Sequence, residues 1–292
     1  MPMEVFTTRD GVALHYERRS SGPGQMPIVF IHGLGSNHTR WSEFWRETRL
    51  SERHDLIRLD LRGHGLSRTR LPITLAHFTQ DIVSLLDHLQ HSRAILMGHC
   101  LGANIALRFH QLQPHRLSGM VLIEPFFYPA MRRSFRYAAR MTLPVVRLLK
   151  RGADRLNRMG LARRRFKDKD LYLYDRESRG RLTARGLERM RYWVRYLGPW
   201  RDMESMPTAA YLQSYLSLFE PLPDPAGIAC PTLLLLSEAA LFGDVRRMFS
   251  FPQPKPHITV RTIACDHWVL TERPVESREL IEEWLQSLLP VT

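Results

Sequence analysis

The sequence predicts an α/β fold, a mostly parallel central sheet flanked by helices and interrupted by an inserted helical segment. Three observations carry this. Short apolar runs alternate with helical patterns at both ends of the chain, and parallel strands joined by helical crossovers read that way. Two of the early runs end in glycine loops, His32-Gly33-Leu34-Gly35 and Arg62-Gly63-His64-Gly65. The alternation stops after Pro125 and resumes at Ala229-Cys230-Pro231. This divides the chain into a core of residues 1–125 and 226–292 and an insertion of residues 126–225. A length of 292 residues suits one large domain with an insert or two modest ones, and 44% apolar with 24% charged residues excludes wholesale disorder.

The elements follow in order. Residues 4–20 alternate like strands, with Asp10-Gly11 at a hairpin turn. Pro27–Ile31 and His54–Leu61 are short buried strands. Phe78, Ile82, Leu85, Leu86 and Leu89 share one face of a helix over Leu75–Leu89. Ala94–Met97 is a strand, a helix runs from about Ala103 to Leu112, and Gly119–Ile123 is the strand that ends at Glu124-Pro125. After the insertion come strands at Thr232–Leu236 and Ile258–Ile263 and an amphipathic helix over Pro274–Leu289.

Between the fourth strand run and its helix stands Gly98-His99-Cys100-Leu101-Gly102. A small-x-nucleophile-x-small pattern at a strand-to-helix turn is a nucleophile elbow, here with Cys where Ser is usual. The small residues let helix and strand approach while the nucleophile takes a strained backbone conformation. The N–H of Leu101 then sits at a helix N-terminus, where it can stabilise an oxyanion, and the same dipole favours thiolate over thiol.

Four landmarks in order resemble the α/β-hydrolase superfamily: His32-Gly33-Leu34-Gly35 with Trp41 beyond it, the stretch Asp60 to Ser67, the elbow at Cys100, and Asp266-His267-Trp268. The resemblance covers nearly the whole chain outside the insertion. It implies the α/β-hydrolase fold with a helical cap. It also implies Leu34 as the second backbone oxyanion donor and His267 as the general base. The stretch from Asp60 to Ser67 is expected to be architectural. The third catalytic member departs from the family pattern, because the aligned stretch Ser237-Glu238-Ala239-Ala240 has Ala240 where an Asp is expected. Glu124, at a position where haloalkane dehalogenases carry their acid, is the first candidate, and Asp244 is the alternative.

These residues point to acyl transfer or hydrolysis (a thioesterase, esterase or acyltransferase) on a thioester or activated ester, through a covalent acyl-cysteine. Two rival readings are a non-catalytic ligand-binding protein on the same fold, and a lyase or cyclase using the same pocket. No cofactor or metal is expected, since the spacings of Cys100, Cys230 and Cys265 are neither a disulfide framework nor a ligand set. The N-terminus has no secretory pattern and no run of 18 apolar residues occurs, so a cytoplasmic protein is expected.

The net charge of +13 is local: residues 126–225 hold 22 Lys and Arg against 10 Asp and Glu, and the rest holds 20 against 19. From Met131 to Arg151, with Arg132 at zero and about 100° per residue, the basic residues fall within about 0–100°, and Phe135, Ala138, Met141, Val145, Val146, Leu148 and Leu149 fall within about 160–320°. This basic amphipathic helix has Pro144 within it. Arg163, Arg164 and Arg165 extend the basic run, and Tyr192, Trp193, Tyr196 and Trp200 with Phe126, Phe127 and Tyr128 supply aromatics for an acyl pocket or for cap core. The basic surface reads as a solvated face, as a dock for an acyl carrier protein or a coenzyme A thioester, or as a contact with an anionic membrane. Nucleic acid is not expected, for want of a motif.

Overall fold

The computed structural model describes residues 3–20, 22–161, 165–167, 169–182, 199–239, 242–250 and 255–288. Arg163, Arg164, Tyr192, Trp193, Tyr196 and Ala240, together with the side chain of Trp200, lie outside the described residues.

Eight strands form one sheet: β1 (Glu4–Thr7), β2 (Ala13–Arg19), β3 (Met26–Ile31), β4 (His54–Leu59), β5 (Ala94–His99), β6 (Leu117–Ile123), β7 (Thr232–Ser237) and β8 (Ile258–Ile263). Their order is β1-β2-β4-β3-β5-β6-β7-β8. The β1–β2 and β2–β4 pairs are antiparallel and every later pair is parallel. Every residue of β4, β5 and β7 is buried, as parallel strands covered on both faces require. Alternation along β3 splits the core. Val29 and Ile31 join the cluster containing α2 (Leu75–His88) and α3 (Leu101–Leu112). Ile28 and Phe30 join the other, with α1 (Ser42–Glu47) and the C-terminal helix (Pro274–Ser287).

Two boundaries differ from expectation around the elbow. β5 continues to His99 and α3 starts at Leu101, not Ala103, so the whole turn is Cys100 itself. Periodicity missed this because Gly98 and Gly102 add no apolar signal.

The stretch from Asp60 to Ser67 is a braced loop. The Asp60 carboxylate accepts from the N–H groups of His38 (2.7 Å) and Leu66 (2.8 Å). Arg62, fully buried, pairs with Asp81 and Asp10. Gly65 has φ +48°, and a Cβ there would lie 2.2 Å from Asp60 Oδ2.

Between β6 and β7 the described residues include α4 (Arg133–Arg158), α5 (Leu171–Leu182), a single turn at Pro199–Asp202, and α6 (Thr208–Ser217). α4 packs on α6 and continues through Pro144. That proline is exposed, so the Arg140 carbonyl deprived of its helical donor can bond water. No helix among the described residues is long and apolar enough to cross a membrane.

Candidate active site

Cys100 sits between β5 and α3 with φ +52° and ψ −111°. This strained geometry is held by two close approaches. A Cβ on Gly98 would stand 2.3 Å from the Gly102 backbone, and one on Gly102 would stand 2.2 Å from the Ile31 carbonyl oxygen. Only glycine fits at either place, so the helix and β3 close on the turn and the cysteine is pushed up from the sheet edge. Leu101 is the first residue of α3, so its N–H has no acceptor within the helix. Gly33, Leu34 and Gly35 line the same cavity as Cys100.

Glu124 follows the last residue of β6, also with positive φ (+49°). Among the described residues only three non-glycines have positive φ, and two are Cys100 and Glu124. Such strain persists where the surroundings over-determine it. The surroundings of Glu124 are visible. Its N–H donates to the Leu235 carbonyl at 3.0 Å, and its Oε1 accepts from the Ser237 N–H. Asn104 on α3 clamps the loop beyond, exchanging two hydrogen bonds with the Phe126 backbone at 2.9 and 3.0 Å.

His267 lies on the loop after β8. Its Nδ1 is 2.8 Å from Glu124 Oε2, and its ring lines the same cavity as Cys100. The backbone of that loop is gathered on one side chain: Glu272 accepts from the N–H groups of Asp266, His267 and Trp268 at 3.1–3.3 Å. Phe242 stands edge-on to the His267 ring at 5.0 Å, with His99 at 5.7 Å and Trp268 at 5.6 Å. Burial opposes a charge on His267, but the hydrogen bonds to Cys100 and Glu124 and the negative charge of both outweigh it and raise the pKa to about 10. His99 is held well below its usual value, first by burial and then by the charge of His267.

The structure thus places His267 against Glu124 and lines one cavity with His267 and Cys100. Asp244 is elsewhere. It caps the turn Val245–Phe249 and pairs with Arg246 at 2.8 Å, which holds its carboxyl below the usual range. Glu124, not Asp244, is the carboxylate bonded to the imidazole. Cys265 and Cys230 are free thiols whose pKa is raised, chiefly by burial.

A cavity of about 410 Å³ opens over Cys100 and His267. Its apolar wall comes from Phe126, Met131, Phe135, Leu218 and Phe219, with Ala138 and Thr142 of α4 and Tyr211 and Tyr215 of α6 above. Phe126 was legible in sequence as pocket material, and Tyr128 meets Phe219 edge-on at 5.9 Å. One end is polar, with Ser36, Arg40 and Asp202. Burial pushes the Asp202 carboxyl up to about 6 against the opposing charges of Lys169, Arg40 and Arg201. Sequence reasoning missed Asp202, Asn104 and Glu272. Asp202 reaches the site only through the path of the insertion, and Glu272 is part of an unremarkable helical turn.

Comparison with known proteins agrees with this architecture. A thermophilic esterase from Thermogutta terrifontis superposes with a TM-score of 0.67 at 22% identity, over 98% of this chain and 99% of that one. An enol-lactonase from Burkholderia xenovorans LB400 gives 0.69 at 17% identity, over 97% and 100%. Likeness at these identities speaks for the fold alone. Among curated sequences, the dihydrolipoyllysine-residue acetyltransferase component of the acetoin cleaving system of Pseudomonas putida is 34% identical over 103 residues, 35% of this chain and 27% of that protein. The chain spans half or less of the length of the curated relatives it matches. Residues 28–279 match the sequence profile of the alpha/beta hydrolase family, and with the strand order and the elbow already described, the chain belongs to that family.

Proposed function

We propose that the protein is an acyl-transfer enzyme, a thioesterase, esterase or acyltransferase, that works through an acyl-cysteine at Cys100. The observation that carries this reading is the His267–Glu124 bond beside Cys100, with His267 and Cys100 lining one largely apolar cavity. Glu124 fixes the imidazole by its Nδ1 and stabilises its positive charge, which leaves Nε2 for the sulfur. The thiolate attacks the carbonyl carbon of a thioester or activated ester. The backbone N–H groups of Leu34 and Leu101 receive the negative oxygen, His267 gives its proton to the departing thiol or alcohol, and a thioester to Cys100 remains. Water or another acceptor, losing its proton to His267, then attacks that thioester and frees the sulfur. The apolar wall suits an apolar acyl part, and α4 and α6 act as the cap over it.

The occupied acid position argues against the binding-protein reading, whose support was the alanine at position 240. The test is steady-state turnover of a panel of acyl thioesters and activated esters by wild type and Cys100→Ala. Loss of at least about a thousandfold in kcat is expected. Unchanged turnover in Cys100→Ala would sink the mechanism.

A further inference from the structure

We propose that α4 is a membrane-docking helix that seats the cavity on an anionic lipid surface. α4 is 26 residues long, yet only Ala139 and Leu143 are buried. Tyr137, Met141, Val145, Leu148, Leu149 and Leu156 stand 49–69% exposed. With Ala139 at zero and about 100° per residue, these six form one continuous face from about 160° to 280°. An apolar face of this extent left in water marks an interaction site.

Charge commits the occupant. α4 carries eight Lys and Arg against one acid, Asp154, which pairs with Lys150 at 2.8 Å. Arg133, Arg140, Arg147, Arg151 and Arg158 are all exposed and occupy the arc from about 80° to 120°, directly beside the apolar face. Apolar side chains that insert, flanked by arginines at headgroup level, are the composition of an interfacial helix, and an anionic bilayer satisfies both halves at once.

The cavity adds a third observation. Phe135 and Thr142, which line it, fall between the buried stripe and the exposed apolar face of α4, Ala138 lies at the edge of that face, and all three are themselves exposed. Docking by α4 therefore sets the cavity rim at the lipid surface, where an amphiphilic ester or thioester could enter acyl chain first. That last step rests on the proposed acyl-transfer reading; the docking itself does not.

The test is flotation of the whole protein with phosphatidylcholine vesicles, with and without phosphatidylglycerol. Recovery with anionic vesicles is expected to exceed that with neutral ones by about tenfold or more, and to fall as salt rises. The double variant Leu148→Asp with Leu149→Asp should lose binding, while its thermal unfolding should stay close to wild type because both side chains are exposed. Arg147→Gln with Arg151→Gln gives a second reading in case the first variant folds poorly, and should weaken binding several-fold. Cys100→Ala should float like wild type, so failure of the chemistry and failure of docking are told apart. Equal recovery with neutral vesicles, or binding unaffected in both double variants, would overturn the proposal. So would saturable binding of an acidic acyl carrier protein without vesicle binding, or a dimer abolished by the leucine variant.

Discussion

Cys100 and Glu124 share a feature that sequence alone could not display, a positive φ in a residue with a side chain. Each is locked by neighbours, Cys100 by the glycines around it and Glu124 by bonds to Leu235 and Ser237 on β7. The cysteine was legible because its glycine spacing is local. The candidate acid was only half legible, because residues 124 and 244 both lie on loops and only the fold sets Glu124 against His267. Two outcomes test the assignment. Glu124→Gln should lower kcat by about a hundredfold with little change in KM, and Asp244→Asn should leave both near wild type; kinetics on one activated ester decides it. Glu272→Ala should also lower kcat, by about tenfold or more, through release of the three N–H groups that shape the His267 loop. The check is whether its loss falls on kcat rather than on KM.

The elbow is the element on which the site depends, and its tolerance is set by backbone contacts. A methyl at Gly102 would meet the Ile31 carbonyl, which has no flexible side chain to yield. Gly102→Ala is expected to cost about 1–3 kcal/mol, measured by urea denaturation, and to lower activity beyond what lost stability explains. The sheet was readable because β3, β5 and β7 are continuous apolar runs between turn signals. α4 was readable as a helix with segregated faces, but the direction those faces point was not. Periodicity assigns an apolar face without saying whether protein covers it, and here most of it is exposed. Sequence was similarly silent on Asp202, whose approach to Gly35 depends on how the insertion folds back.

At the scale of the whole molecule, stability and reactivity are linked through one proton. The raised pKa of His267, about 10 against 6.5 for an ordinary imidazole, means that its charged form stabilises the fold. The contribution is complete below pH about 6.5 and is lost as pH rises toward 10. The unfolding free energy from urea titration should therefore fall over that window by about 1 kcal/mol or more in wild type, and the fall should shrink in His267→Gln. The net charge belongs to the same scale. It is concentrated in residues 126–225, and the other residues are nearly neutral. The central claim is the acyl-cysteine, and it is tested most directly by intact-protein mass spectrometry after brief incubation with acyl thioesters and activated esters. The account predicts a single adduct of the acyl mass in wild type, mapped by peptide digestion to Cys100 and absent from Cys100→Ala. Substrate consumed at the wild-type rate by Cys100→Ala, with no adduct on either protein, would contradict it.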